Sequence, residues 1–362
     1  MIILIMKYLL FADRLSYGGG EKVRNWLATQ LAKAGDTVFY ATSNLTEDYQ
    51  MQLKTLGLDD YIHIVQYDFS LKKRKPLSYF SSICKLYTEN KIDAIVYFGG
   101  SLIEQLAARK TGVKIFLSER FYNGFRSFPS RILKHIQYRI ADGYVFQTPE
   151  AAKTYGKRAE RIGTVIPNPI IDDLPDPIFD NIRKEIVTAG RLSHQKDHNT
   201  LIEAFSIFHK QHSEYSLIIY GSGELKEELE AKIANLNLTP YVSIISGKTN
   251  ISELERGAEL FVLSSIAEGM PNALIEAMSV GVQCISTDCP AYGSRLLVSN
   301  GVNGYLVPVG DINRMAEMMC YAIEHPNEAD SIRKNALKIR ETLNPDMIFN
   351  RWHEYFETIM RK

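Results

Sequence analysis

Two carboxylates, Glu268 and Glu276, carry the clearest chemical signal in this chain. They lie in the stretch SSIAEGMPNALIEAMSVG, residues 264–281. Residues 260–263 read as a short buried strand, Gly269 as part of a polar turn, and 272–278 as helix. Pro271 stands where a first helical turn tolerates a missing N–H. Glu268 is thus expected on a strand-to-helix turn, with Glu276 inside the helix that follows. A helix N-terminus at the carboxyl end of a parallel strand suits a phosphorylated ligand. Carboxylates beside such an anion site would not bind the phosphates. Their natural partners are neutral hydroxyls, such as those of a ribose and a sugar.

Upstream, residues 188–199 read TAGRLSHQKDHN. Gly190 ends a strand, and Arg191 and Lys196 follow on the loop before a helix at 200–212. An arginine fork and a lysine point charge at the mouth of a βα unit can neutralise a diphosphate. Taken alone they read equally well as solvated loop charges; the downstream carboxylates favour the phosphate reading. Gly18–Gly20 follows the first strand and lets a backbone approach a ligand closely. Gly221-Ser-Gly223 and Gly99-Gly100 follow later strands and read as tight turns, the former grazing a nucleotide. The spacing is not GxGxxG with an acidic partner, which disfavours a nicotinamide dehydrogenase. No HExxH, Asp-x-Asp or Cys/His cluster is present. His194 and His198 share their loop with two cations, which would repel a metal. Neither a metal nor a cofactor is expected. No GxSxG, P-loop or kinase signature occurs.

The elements that position these residues alternate throughout. Strand-like runs at 8–12, 37–41, 94–98, 114–118, 144–147, 185–189, 216–220, 242–246, 260–263 and 282–286 are separated by amphipathic stretches such as 21–34, 200–212 and 223–236. That order predicts α/β architecture with parallel sheets. With 362 residues, 45% hydrophobic and 23% charged, the chain is a globular protein of two-domain size. The boundary is placed at Val165-Ile-Pro-Asn-Pro169 and the acidic run after it. This gives domains 1–166 and 167–345, with a last helix at 346–362 packing back toward the first domain. The apolar residues 1–10 read as a first strand, too short to span a bilayer and lacking a good cleavage site. Four cysteines without CxxC pairing read as core thiols of a reducing cytoplasm.

The net charge is zero but unevenly placed. Residues 1–170 hold 24 Lys+Arg against 15 Asp+Glu, net +9, and the remainder holds 18 against 27, net −9. Nucleic acid and an anionic membrane surface are the two partners such asymmetry admits. Aromatic residues interleave with the basic ones at 120–139, where Arg131, Lys134, His135, Tyr138 and Arg139 are expected to share one helix face. Phe121, Tyr122, Phe125 and Phe128 precede that face. A second cluster, Lys72, Lys73, Arg74 and Lys75, precedes Leu77, Tyr79 and Phe80. The mixture favours a membrane interface over nucleic acid; a solvated helix face over core aromatics is the alternative.

Arg191 with Lys196, and the pair Glu268–Glu276 in EGMPNALIEAM, resemble the retaining glycosyltransferases of family four. The turn at Gly18–Gly20, Val165-Ile-Pro-Asn168 and Asn300-Gly-Val-Asn-Gly-Tyr-Leu-Val-Pro308 support the resemblance. Ser118-Glu119-Arg120 is similar to a segment of bacterial members that extend lipid-linked glycans. The resemblance implies the GT-B fold, two Rossmann-like doubly wound domains facing across a cleft. It implies a nucleotide-sugar donor, with Arg191 and Lys196 on the diphosphate, Glu276 on the ribose and Glu268 on the sugar hydroxyls. Backbone at Gly269, Met270, Pro271 and Asn272 would flank sugar and phosphates, and the turn at Gly19 and Gly20 would approach the phosphates. Glu119 and Arg120 would lie on the acceptor side. After Arg295 this chain has Leu296-Leu297 where many members have a glutamate, which reads as surface variation. The implied reaction is metal-independent transfer from a UDP-sugar to a glycan or lipid-linked saccharide, with retention, at the cytoplasmic face of a membrane. A nucleotide-sugar epimerase of similar architecture and a non-catalytic binding subunit are the competing classes.

Overall fold

In the computed structural model, residues 5–12, 19–43, 60–98, 101–120, 128–171, 174–247, 250–290 and 292–361 are described; of Ala12 and of 128–131 this covers the backbone but not the side chains. The chain forms two units. The first comprises Met1–Ile171 and Pro345–Lys362, the second Asp172–Asn344.

The first unit holds a seven-stranded sheet, every pairing of which is parallel. Its strands are β1 (Lys7–Ala12), β2 (Thr37–Thr42), β3 (Ile62–Gln66), β4 (Ala94–Tyr97), β5 (Lys114–Glu119), β6 (Gly143–Phe146) and β7 (Gly163–Val165), in the order β3-β2-β1-β4-β5-β6-β7. Inner strands such as β4 and β6 are buried along their whole length and read as continuous apolar runs, as a sheet covered on both faces requires. Two cores lie on its faces. One gathers Val23, Trp26 and Leu27 of helix Gly19–Lys33 with Trp352 and Phe356 of the last helix, Pro345–Met360. The other gathers Tyr79, Ile83 and Tyr87 of helix Pro76–Glu89 with Ala107, Ala108 and Tyr138. The last helix therefore completes the first unit's core from the far end of the chain.

The second unit holds β8 (Arg183–Ala189), β9 (Ser216–Tyr220), β10 (Val242–Ile245), β11 (Ala258–Leu263), β12 (Gln283–Thr287) and β13 (Tyr305–Val307). Their order is β10-β9-β8-β11-β12-β13, again all parallel. In both sheets the strand order reverses once, between β1 and β4 and between β8 and β11. At such a reversal the connecting loops diverge to opposite faces and leave a crevice at the strands' carboxyl ends, where ligands of open α/β sheets bind.

β3, β7 and β13 lack a clear sequence signal. All three are short edge strands: β3 and β7 are only partly buried, and β13, although apolar, is three residues long.

Candidate functional site

The site grows from the reversal in the second sheet. β8 delivers the loop 190–197 and β11 the loop 264–271. The first loop lies against residues 221–225: Leu192 N–H donates to Ser222 O at 2.9 Å and Leu225 N–H to Leu192 O at 3.1 Å. A Cβ on Gly221 would stand 2.0 Å from Gly190 O, and one on Gly223 2.3 Å from Leu192 O. Glycine is needed there so that two backbones can touch, which gives Gly221-Ser-Gly223 a packing role. Asp197, at φ +47°, caps helix His198–Phe208, with Oδ1 accepting from Thr200 N–H at 3.3 Å and Oδ2 from Thr200 Oγ1 at 2.7 Å. His198 is buried with Nε2 3.3 Å from Arg191 O. Burial pushes its pKa down to about 4, so at neutral pH an uncharged imidazole supports the Arg191 backbone. The Arg191 side chain is exposed.

The two loops are stitched together. Ser264 Oγ donates to Lys196 O at 2.9 Å, Ile266 N–H to Gln195 O at 2.9 Å, and Gln195 Nε2 to Ala267 O at 2.8 Å. Within this frame Lys196 Nζ meets Glu268 Oε1 at 2.6 Å, and Ser265 Oγ donates to the same oxygen at 2.7 Å. Ser265 is held in turn by Thr287 Oγ1, which donates to its carbonyl at 2.5 Å. Beneath them the Cys289 thiol is fully buried and accepts the Glu268 backbone N–H; burial first, and then the Glu268 charge, push its pKa up to about 11.

Beyond Glu268 the backbone turns sharply. A Cβ on Gly293 would stand 1.8 Å from Gly269 O, so the chain entering helix Gly293–Leu297 presses on this turn. Met270 and Pro271 are buried, and helix Asn272–Ser279 starts with no side-chain cap on its first N–H groups. A helix start without a side-chain cap is the kind of helix end at which anions bind. Asn272, Ala273 and Glu276 form the half-buried face of this helix, while the other residues after Ala273 are buried. Thus the turn, the helix start, Glu268 and Lys196 are brought together, with Arg191 five residues before Lys196 on the same loop. The Leu296-Leu297 variation divides: Leu296 is exposed and Leu297 buried.

Ser265, Gln195, Ser264 and Cys289 are supporting residues that sequence reasoning does not single out. The polar doublet Ser264-Ser265, directly after an apolar strand, is the signal that could have found two of them. Nothing local to Gln195 or Cys289 marks them, since their partners are distant in sequence.

In the first unit, Gly19 opens helix Gly19–Lys33 after β1 and Gly20 is exposed; Gly18, Gly99 and Gly100 lie outside the described residues. One expectation is corrected. Glu119 is buried, its Oε1 accepting from Lys134 Nζ at 2.7 Å and its Oε2 from Tyr155 Oη at 3.1 Å. Lys134 does not belong to an outward basic face. On helix Phe128–Ile140 the residues Lys134, Gln137 and Tyr138 point inward, while His135 and Arg139 are exposed. Tyr138 packs on Tyr144, Phe146 and Tyr155, which fixes the helix rotation and carries Lys134 to Glu119. The side chains of Arg131 and Phe128, and all of Phe121, Tyr122 and Phe125, lie outside the described residues.

Arg120 lies over the rings of Phe98 and Trp352, 4.8 and 5.9 Å from their centroids, and donates through Nη1 to Asn168. Its Nε and Nη2 are buried without a hydrogen-bond partner among the described residues, and burial pushes its pKa down to about 9. Lys72 pairs with the buried Glu104 at 3.2 Å, whereas Lys73, Arg74 and Lys75 are exposed. Among the described residues no group of three His, Cys, Asp or Glu is placed to hold a metal, and no helix is long and apolar enough to cross a membrane.

Residues 173–339 match the family described as glycosyl transferases group 1. A Haemophilus influenzae protein named an uncharacterized glycosyltransferase is 25% identical over 353 residues, covering 93% of this chain and 96% of that one. A Campylobacter jejuni protein named GalNAc-alpha-(1->4)-GalNAc-alpha-(1->3)-diNAcBac-PP-undecaprenol alpha-1,4-N-acetyl-D-galactosaminyltransferase is 25% identical over 344 residues, covering 92% and 93%. Among solved structures, Anabaena Alr3699/HepE in complex with UDP and glucose superimposes with a TM-score of 0.79 at 17% identity, covering 98% of this chain and all of that one. Residues 173–339 thus carry the pattern of the group 1 glycosyltransferases, the chain is similar along its length to proteins named glycosyltransferases, and its fold is the GT-B fold.

Proposed function

We propose that this glycosyltransferase moves a hexose or N-acetylhexosamine from a UDP-sugar to a lipid-linked glycan, with retention and without a metal, in bacterial surface polysaccharide synthesis on the cytoplasmic side of the membrane. The observation that carries the reading is the Lys196–Glu268 pair at the strand-order reversal, beside an uncapped helix start. The Campylobacter relative, named for an undecaprenol-linked acceptor, and the Anabaena structure, solved with UDP and glucose, supply the chemical classes.

Arg191 and Lys196 bind the diphosphate, and with backbone N–H groups of the turn and helix start around Pro271, which itself has none, they stabilise the charge that grows on the departing UDP. Lys196 has three donors, so one can stay on Glu268 while others face phosphate. Glu268, held by Lys196 and Ser265, accepts from the sugar hydroxyls, and Glu276 accepts from the ribose. The bond from the sugar's anomeric carbon to phosphate breaks as the acceptor oxygen bonds to that carbon on the same face. The departing phosphate takes the acceptor's proton.

The test incubates the protein with UDP-sugars, with and without an undecaprenyl-diphosphate saccharide and with and without EDTA. Free UDP, product mass and anomeric configuration are followed. Acceptor-dependent UDP release unaffected by EDTA is expected. Conversion of the UDP-sugar to its epimer without acceptor, or inversion in the product, would overturn the reading. Calorimetry separates the carboxylates: Glu276→Gln weakens UDP binding, while Glu268→Gln leaves it unchanged and depresses transfer.

A further inference from the structure

Helices Leu71–Arg74, Pro76–Glu89, Leu102–Thr111 and Phe128–Ile140 form one layer on one face of the first sheet. Their inward residues share a single core, and neighbouring helices pack side by side. Two links fix their order. Lys72 reaches Glu104 at the start of Leu102–Thr111, and Arg109 at its end donates to Ile140 O at 2.6 Å and pairs with Asp142 at 3.1 Å.

The outward face of this layer is unusual in two respects. It presents large apolar side chains to solvent: Ile132, Leu133 and Ile136 are 44–49% exposed, Leu106 45% and Leu77 85%. Ile132, Leu133 and Ile136 fall at i, i+1 and i+4, one stripe of their helix. Around them the exposed charges are basic: Lys73, Arg74, Lys75, Lys110 and Arg139. The acidic residues of these four helices are Glu89, paired with Lys85, and Glu104, which is buried. Tyr138 packing turns this amphipathic helix so that its polar Lys134 and Gln137 are sealed and its aliphatic residues are shown to water. Apolar side chains ringed by cations are complementary to an anionic lipid surface, which offers hydrocarbon beneath phosphate.

We propose that this layer is a bilayer-docking surface, with Ile132, Leu133 and Ile136 entering the interface and Lys73, Arg74, Lys75, Lys110 and Arg139 meeting anionic headgroups. The basic face expected from sequence is thereby replaced by an apolar ridge with a basic rim. This goes beyond the transferase reading, because docking needs neither donor nor acceptor.

The experiment is sedimentation of the full chain with vesicles of phosphatidylcholine alone or mixed with phosphatidylglycerol, over a range of salt. Binding to the mixed vesicles is expected, weakening as salt rises. Replacing Lys73, Arg74 and Lys75 by Ser weakens low-salt binding about a hundredfold, since each cation near an anionic surface contributes roughly fivefold. Replacing Ile132, Leu133 and Ile136 by Ser weakens binding by about tenfold for each side chain, at low and high salt alike. UDP affinity and the circular-dichroism melt of both variants stay at wild-type values, which shows that the protein is intact. The proposal is overturned if wild-type protein ignores mixed vesicles at low salt, or if the Ile132/Leu133/Ile136 variant binds as wild type does. It is also overturned if sedimentation velocity shows the ridge pairing two copies of the chain without vesicle binding.

Discussion

A lysine–glutamate pair stands at the carboxyl end of each sheet, and the two pairs differ in what surrounds them. Lys134–Glu119 closes at 2.7 Å with side chains 9% and 2% exposed, and Lys196–Glu268 at 2.6 Å with 15% and 9%. The first is sealed beneath a packed helix, with Tyr155 on the second carboxylate oxygen. The second lies on two strand-end loops that are stitched together at the reversal of strand order, beside a helix start. A sealed pair holds structure, whereas a pair at a reversal of strand order stands where ligands of open α/β sheets bind. The same residue types at nearly the same distance thus carry different work, set by the loops around them.

Removing one partner from each pair separates the two roles, and the largest effect falls on the sealed pair. Lys134→Ala strands the buried Glu119 charge and is expected to cost about 3–5 kcal/mol in urea unfolding. Replacing both partners by apolar residues of similar volume recovers most of that loss. An unchanged urea midpoint for Lys134→Ala would show that the pair is not structural. Lys196→Ala acts on rate. Turnover drops by about 100- to 1,000-fold, as for loss of one preorganised group on a developing charge, with little change in stability. A fall in stability without a fall in kcat would erase the contrast between the pairs.

Acid sharpens the comparison on the side of the second unit. The His198 pKa is pushed down to about 4 by burial. Between its ordinary value near 6.5 and 4, the unfolded chain binds a proton that the folded one does not, so stability falls as pH falls through that window. The loss is about 3 kcal/mol by pH 4, at 1.36 kcal/mol per unit. His198→Gln flattens that slope in pH-dependent urea titrations. The smallest effect belongs to Ser265→Ala, which removes one of two donors to Glu268 Oε1. A hydrogen bond to a charged group contributes about 1.5–3 kcal/mol, so kcat is expected to drop by roughly tenfold or somewhat more, with the Kd for UDP unchanged. A loss of UDP affinity instead would mean that Ser265 serves the nucleotide and not Glu268.

Much of the architecture is legible in the amino-acid order. The strands that lie inside the sheets declare themselves as apolar runs, and the last helix, Pro345–Met360, shows its buried stripe of Ile348, Trp352 and Phe356 at helical spacing. The candidate donor residues are legible because each sits on a short local motif: a strand, a turn with glycine, a helix start. The edge strands β3, β7 and β13 are not, because strands of three to five residues, partly buried in β3 and β7, give too short a pattern. The rotation of helix Phe128–Ile140 differs from the expected one because a stripe at i, i+3, i+4 and i+7 marks a face but does not say whether that face is buried. Lysine, histidine and arginine there point outward by type. The aromatic cluster behind Tyr138 overrides that preference.

Neighbours a few residues apart are enough to specify the two α/β halves, the turns and helix starts, and the kinds of side chain available at them. Which of those side chains meet is settled by tertiary packing. Lys196 and Glu268 are 72 positions apart, and they touch because β8 and β11 are adjacent where the strand order reverses. Cys289 becomes a support of Glu268, and Thr287 a brace for Ser265, only once β11 and β12 lie side by side. Lys134 is carried inward to Glu119, at the end of β5, by the packing of Tyr138 on Tyr144, Phe146 and Tyr155. Contacts of that range are set by sheet order and core packing, which no local pattern encodes.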